Sequence, residues 1–408
     1  MSQSILKSQV AGAKAAEIHL AIRAGLIAVL VAGFVSWTPV PAADAPAATM
    51  LPGQDEIHDT ATAVVDTAKV AGLDGLLAQI EDKRIVYVGE SHDHYEDHLN
   101  QLGIIRGLHE RGRDLAIGTE FFQQPFQPVL DAFVAGTIGE AELLRQTEYF
   151  DRWRFDYRLY RPILRFARDH GIPVVALNLP KEITDQAGDG GIASLSAEQA
   201  AQIPADIDRD DEDYLERMKA VFAMHPKDDD ADFEHFLDVQ LLWDEGMAER
   251  AAAYLRAHPD KTLVVLAGTG HVEYGQGIPR RVGRRIDAPA ATVVSGTNRP
   301  FDAEMADFIL FPQRVELPAT GLLGVMLDTE SEGEGIGVQG FSEDSGAQAA
   351  GMKEGDRIVG VGENAIDSYT DIRIALMDSR PGETLPVEVT RKTLLGRTER
   401  LSFDVQLH

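Results

Sequence analysis

Residues 84–94 read RIVYVGESHDH. Five residues, mostly β-branched or aromatic, run without alternation into a glycine, and then a glutamate and two histidines follow. An unbroken apolar run fits a strand covered on both faces, because a half-exposed strand alternates. The same arrangement returns along the chain. Residues 114–118 (DLAIG) lead into Thr119-Glu120, 173–177 (PVVAL) into Asn178, and 262–267 (TLVVLA) into Gly268-Thr269-Gly270-His271. A further run, ATVVS, occupies 291–295. Between the runs, helical spacing covers 95–111, 128–134, 159–169, 213–224 and 232–258. Strand alternating with helix predicts an α/β fold: a mainly parallel sheet flanked by helices on both faces. Residues 181–261 form a helical insertion long enough to lid a site.

In an open parallel sheet, ligands sit outside the carboxyl ends of the strands. Strand register therefore brings Glu90, His92, Glu120, Asn178 and His271 to one rim, although they lie far apart in sequence. Imidazole mixed with carboxylate suits a divalent metal or acid–base work on a bound substrate. The bland alternative is that these groups cap helices and bond one another.

Composition narrows the classes. The 408 residues carry 38 basic against 66 acidic side chains, a formal charge of −28. That field repels a phosphate backbone, so nucleic acid is not an expected partner. Cysteine is absent, which excludes disulfides, thiolate metal sites and cysteine nucleophiles. Residues 24–37 (AGLIAVLVAGFVSW) are apolar and follow Lys7, Lys14 and Arg23, while Ala43-Asp44-Ala45 has the form of a cleavage site. Fourteen apolar residues fall short of the ~20 that span a bilayer. The expectation is a signal peptide over 1–45 and a periplasmic or envelope location, with an uncleaved anchor as the alternative.

Other signals are weaker. Within the insertion, 206–213 (DIDRDDED) lacks the glycine and glutamate of a calcium loop, and reads with 228–232 (DDDAD) as solvated acidic loop. Gly268-x-Gly-His is not a dinucleotide fingerprint. His94 and His98 share a helix face, but beside Asp93, Glu96 and Asp97 they read as a solvated helix start. Residues 149–160 (YFDRWRFDYRLY) are either a core seam or a cradle for a flat apolar ligand with acidic groups. Gln240 and Asp244, one turn apart, are either a buried pair or reach the site.

Five ordered blocks carry a family likeness: VGESHDH (88–94), GTEFF (118–122), YRPILRFARDHGIPVVALN (160–178), QLLWDEGMA (240–248) and GTGHVEYGQGIPRRV (268–282). Residues 46–317, and within them about 75–312, resemble the ChaN-like haem-binding family of the Tiki/TraB superfamily. The resemblance implies an envelope protein of iron acquisition. It implies haem held by tyrosine, with haems stacked between two subunits, hence a homodimer. Tyr157, Tyr160 and Tyr274 lie in or beside the matching blocks as candidate ligands, with Arg161 and Asn178 as cofactor contacts. The superfamily's paired G-x-x-H motifs and glutamate correspond to Gly89/His92, Gly268/His271 and Glu120. They imply a second possibility, a hydrolase or peptidase in which His92, Glu120 and His271 hold Mn, Co or Zn and Glu90, Glu120 and His271 act on substrate. The chain lacks the lipobox cysteine of typical ChaN members.

After Pro312–Pro318 the texture shifts to short strands and frequent glycines. Residues 318–408, with one helix over 369–378, resemble a bacterial HtrA-type PDZ domain through GLLGV (321–325), GAQAAGMKEGDRIVGV (346–361) and a groove helix over 371–377. Such domains add a peptide C-terminus as a strand. The resemblance implies peptide contacts at Leu323, Gly324, Val325, Ile372 and Leu376.

Overall fold

A computed structural model describes residues 65–224, 232–393 and 396–408. The export segment and most of the second acidic run lie outside the described residues. Residues 63–219 and 232–408 form one compact unit. The other unit, 1–62 with 220–231, is described only over Ala220–Met224.

The first sheet has six strands, one more than the five apolar runs announce. β1 (Ile85–Glu90), β2 (Leu115–Gln123), β3 (Val174–Asn178), β4 (Thr262–Gly268) and β5 (Ala290–Ser295) match the five apolar runs, and β6 (Phe308–Leu310) is an addition. Three residues carry too little pattern to announce a strand. The order is β3-β2-β4-β1-β5-β6 and every pair is parallel. β1 to β4 are buried almost end to end, as an all-parallel sheet requires.

Period-two alternation splits the strands between two apolar layers. Val86, Val88, Ile117 and Val264 face α1 (Leu73–Ile80), α2 (Tyr95–Glu110), α3 (Gln127–Val134), α4 (Glu140–Gln146), α5 (Tyr149–Arg152) and α6 (Tyr157–His170). Tyr87, Ala116, Val175 and Val265 share the opposite layer with α10 (Phe233–Ala257) and α11 (Ile278–Arg285). The insertion supplies α7 (Lys181–Gly190), α8 (Ala197–Ala200) and α9 (Glu212–Met224) before α10. Much of it is therefore a packing layer: Met247, Ala248, Ala251 and Leu255 of α10 cover the sheet. Among the described residues no helix is long and apolar enough to cross a membrane.

The acidic run at 206–213 is largely exposed, as expected, with Asp211 its one buried member, but three of its carboxylates are paired. Asp206, Asp208 and Asp211 pair with Arg284 and Arg280, tying the insertion to α11. Beneath them the fully buried Glu245 meets Arg281, Arg284 and Arg285. A composition count sees only the acids; their partners lie some seventy residues on.

The second sheet is antiparallel, ordered β12-β11-β9-β8-β7 with β10 beside β9. Its strands are β7 (Val325–Asp328), β8 (Ile336–Phe341), β9 (Arg357–Val361), β10 (Asn364–Ala365), β11 (Thr384–Lys392) and β12 (Thr398–Gln406). Two helices join them, α12 (Gly346–Ala350) and α13 (Tyr369–Leu376). A Ser368–Asp371 capping box opens α13. Ile372 and Leu376, one turn apart, face the core of this domain. Tyr369, Ile374 and Met377 pack on the first domain instead, with Arg373 over the Phe150 ring at 4.8 Å. Arg145 bonds Asp371 at 2.8 Å and Arg161 meets Asp378. The connecting segment is held too: Leu317 packs on the α/β core and Arg158 donates to the Pro318 carbonyl at 2.8 Å.

Candidate functional site

The site assembles around the end of β4. Glu90 pairs across from Gly268 on one side of that strand, and the β2–β4 ladder stops at Thr119 on the other. Glu120 leaves the ladder there, and one of its oxygens accepts the Gly268 N–H at 2.7 Å. A side chain at Gly268 would stand 3.0 Å from His92 Cε1 and 3.7 Å from Glu120 Oε2. The glycine is there because an imidazole fills that space.

Each histidine is backed by a carboxylate. His92 Nδ1 lies 2.6 Å from Glu90 Oε1 and His271 Nδ1 lies 2.7 Å from Asp244 Oδ1. The other nitrogen of His271 stands 3.3 Å from Glu120. Ligand atoms of Glu90, His92 and Glu120 lie within 4.8 Å of one another, and His271 joins them through Glu120. Trp153 and Phe155 close on the His92 ring, each 4.8 Å away between centroids, and Trp243 meets the His271 ring edge-on at 6.1 Å.

Burial disfavours charge in His92, Glu120 and His271, and their neighbours overcome it. Glu90 and Glu120 lift the His92 pKa to about 9. Glu120 and Asp244 lift His271 to about 10. The two imidazoles and the Gly268 N–H hold Glu120 at about 2. These neighbours favour the protonated rings, whose Nδ1–H groups donate to Glu90 and Asp244. Behind this layer, Tyr214 donates to Asp244 at 2.8 Å. His98 reaches the His92 carbonyl at 3.2 Å and the Gln101 amide oxygen at 3.1 Å, while Gln101 donates to the Val88 carbonyl at 3.1 Å. One oxygen of Glu90 is buried without a hydrogen-bond partner.

His98 is thus buried behind the site, not on a solvated helix start; the helix carrying it turns that face to the sheet. Of the undecided pair, Asp244 is the residue that reaches the site. Tyr214 has no signal in the sequence, being one aromatic in a polar insertion. Asn178 is buried, its amide donating to the Glu120 carbonyl at 3.2 Å and its oxygen accepting Leu179 N–H at 2.9 Å.

The three candidate tyrosines have different surroundings. Tyr157 is fully buried and its hydroxyl points to Glu140 at 3.3 Å; Tyr160 is buried, with its hydroxyl 3.4 Å from the His92 carbonyl. Burial pushes both phenols well above their usual range. Tyr274 is 39% exposed, sits at φ 59°, and donates to Asp302 at 3.1 Å beside the exposed Phe301. Partial burial and Asp302 raise its phenol as well. Arg161 is taken up by Glu140 and Asp378. In the second domain Leu323, Ile372 and Leu376 share one buried cluster with Val325 against it, and Gly324 sits at φ 74°.

Comparison with known proteins adds the following. Residues 321–407 match the PDZ domain family. Protein RETICULATA-RELATED 5, chloroplastic, of Arabidopsis thaliana is 25% identical over 235 residues, 52% of this chain. The match spans 31% of that relative's length. Similar solved structures include one titled cofacial heme binding to ChaN of Campylobacter jejuni (15% identity, 59% of this chain and 91% of that one, TM-score 0.49). Another is the HtrA3 PDZ domain bound to a phage-derived ligand (22% identity, 22% of this chain and 85% of that one, TM-score 0.19). Residues 76–282, just over half of the 408, match the family described as haem-binding uptake, Tiki superfamily, ChaN. The chain belongs to that ChaN-like haem-binding family, and its α/β domain is followed by a PDZ domain.

Proposed function

We propose that this chain is an exported haem-binding protein of iron acquisition, in which Tyr274 holds the iron and the PDZ domain captures peptide ends. The observation that carries the reading is the contrast among the three tyrosines. Of the three, only Tyr274 offers a partly exposed phenol; it donates to Asp302, whose chain neighbour Phe301 is also exposed. That donor set suits ferric haem, which tyrosinate ligates. Haem would supply the redox-active iron; Tyr274 would hold it, with Asp302 positioned to fix the phenol's orientation through its hydrogen bond. Export is supported by the sequence of residues 1–45 and is checked by N-terminal sequencing of protein from fractionated cells.

The spectral test uses ferric haemin. The full chain should show a Soret band with a tyrosinate-type visible band. Tyr274→Phe should lose the tyrosinate band, while Tyr157→Phe and Tyr160→Phe keep it. An unchanged spectrum in Tyr274→Phe rejects this tyrosine as ligand, and no shift at micromolar haemin rejects haem.

The buried Glu90 oxygen, which among the described residues accepts no hydrogen bond and has only His98 at 4.0 Å, favours a second reading, a metal-dependent hydrolase. Glu90, His92, Glu120 and His271 offer the oxygen and nitrogen donors that Mn, Co or Zn accept, and a bound metal would acidify a water. The carboxylates behind both imidazoles are the partners that orient metal-binding histidines. Elemental analysis of protein purified from cells, with peptide-hydrolysis assays, decides it: absence of metal together with inertness counts against this reading.

A further inference from the structure

The edge of the second sheet has an electrical polarity. β7 pairs with β8 alone among the described strands, leaving its outer edge open. Just before it, the N–H groups of Leu323 and Gly324 have no acceptor among the described residues, and Gly324 is left-handed at φ 74°. Successive free amides around a left-handed residue form a concave anion seat. Leu323, Ile372 and Leu376 supply an apolar wall behind it.

A carboxylate in that seat fixes the direction of a bound chain. Its last residue lies at the start of β7, so the chain runs antiparallel to β7. Advancing roughly 3.3 Å per residue, it reaches the end of β7 about four residues upstream. There stands the loop Asp328-Thr329-Glu330-Ser331-Glu332-Gly333-Glu334. Arg357 fixes this loop through oxygens other than its carboxylates. It bonds the Ser331 hydroxyl at 2.7 Å and the carbonyls of Ser331, Gly333, Glu334 and Gly335 at 2.6–3.1 Å. Glu334 has Arg400 at 3.7 Å. Glu330 and Glu332 are exposed and, among the described residues, form no salt bridge.

We propose that this edge selects extended peptide ends with an apolar last residue and lysine or arginine four to six residues upstream. The inference deepens the peptide-capture reading above and rests on it. Exposed pairs are screened by salt, so the preference is about three- to tenfold at low ionic strength and fades at high.

The test uses the full chain and fluorescein-labelled decapeptides ending in a common apolar tripeptide. They differ only at positions four to six before the end, as lysine, alanine or glutamate, and each is made as free acid and as amide. Anisotropy titrations in 20 and 300 mM salt should rank lysine above alanine above glutamate, with the gaps closing in salt. Glu330→Gln with Glu332→Gln should bring the lysine and alanine peptides together. Free acids that bind with equal or reversed ranking overturn the charge preference and leave peptide capture standing. Amides binding as well as acids, or no peptide binding, overturn both.

Discussion

Glu120→Gln tests whether the site is held together by charge. Glu120 is almost fully buried between two cationic imidazoles. Glutamine keeps an oxygen for the Gly268 N–H but removes the negative charge. The gap between an ordinary carboxyl at 4.5 and this one at about 2 corresponds to roughly 3 kcal/mol. Because the folded-state value is depressed, that stability is present above about pH 4.5 and is lost as pH falls through 2. Wild type should therefore exceed the variant by about 3 kcal/mol at pH 7 and by about 1 kcal/mol at pH 3. His271 carries the opposite sign. Its raised value gives stability that is complete below about 6.5 and lost as pH rises through 10, and the glutamine variant should lose it at lower pH. The two effects share one ion pair and are not additive. Urea unfolding of chelator-treated protein, followed by tryptophan fluorescence, measures this, because Trp153 and Trp243 both lie in the α/β domain and the PDZ domain has no tryptophan. A difference between the proteins that stays constant from pH 3 to pH 7 would refute an ionised Glu120 between charged rings.

Gly268→Ala should leave the backbone at ease, since φ there is −54°, but must move the His92 ring by a few tenths of an ångström. Calorimetric titration with Co²⁺ should show affinity down at least tenfold if this pocket is a metal site, with stability changed by under ~1 kcal/mol. Arg281→Met strips one cation from the buried Glu245 and should cost on the order of 3 kcal/mol in urea unfolding. A double-mutant cycle of Arg145→Ala and Asp371→Ala should give a coupling under ~1 kcal/mol. Asp371→Ala alone should cost about 1 kcal/mol more, through the capping-box bonds its carboxylate accepts from the Ser368 N–H and hydroxyl.

How much of this was legible follows from the kind of signal each residue gives. Buried parallel strands announce themselves as unbroken apolar runs, so β1 to β5 fall within a few residues of the sequence reading. The rim position of Glu90, His92, Glu120 and His271 follows from strand ends alone. Asp244, Tyr214 and His98 were harder, because a polar residue on a helix looks the same whether it meets solvent or a buried imidazole. Only the direction in which α2, α9 and α10 turn their faces distinguishes the two. The aromatic segment 149–160 was ambiguous for a similar reason. Burial of Tyr149, Tyr157 and Tyr160 resolves it as core, and in Trp153 and Phe155 as the wall against His92.

The helix α13 faces two ways, and that makes the linker a poor place to cut. Ending the chain after Pro318 would strip Phe150 of its Arg373 cover and leave Arg145 and Arg161 without Asp371 and Asp378. It would also wet the apolar ground now under Tyr369, Ile374 and Met377. A truncated α/β fragment would be a stickier object than the native molecule, and its behaviour in solution a measure of the cut as much as of the domain.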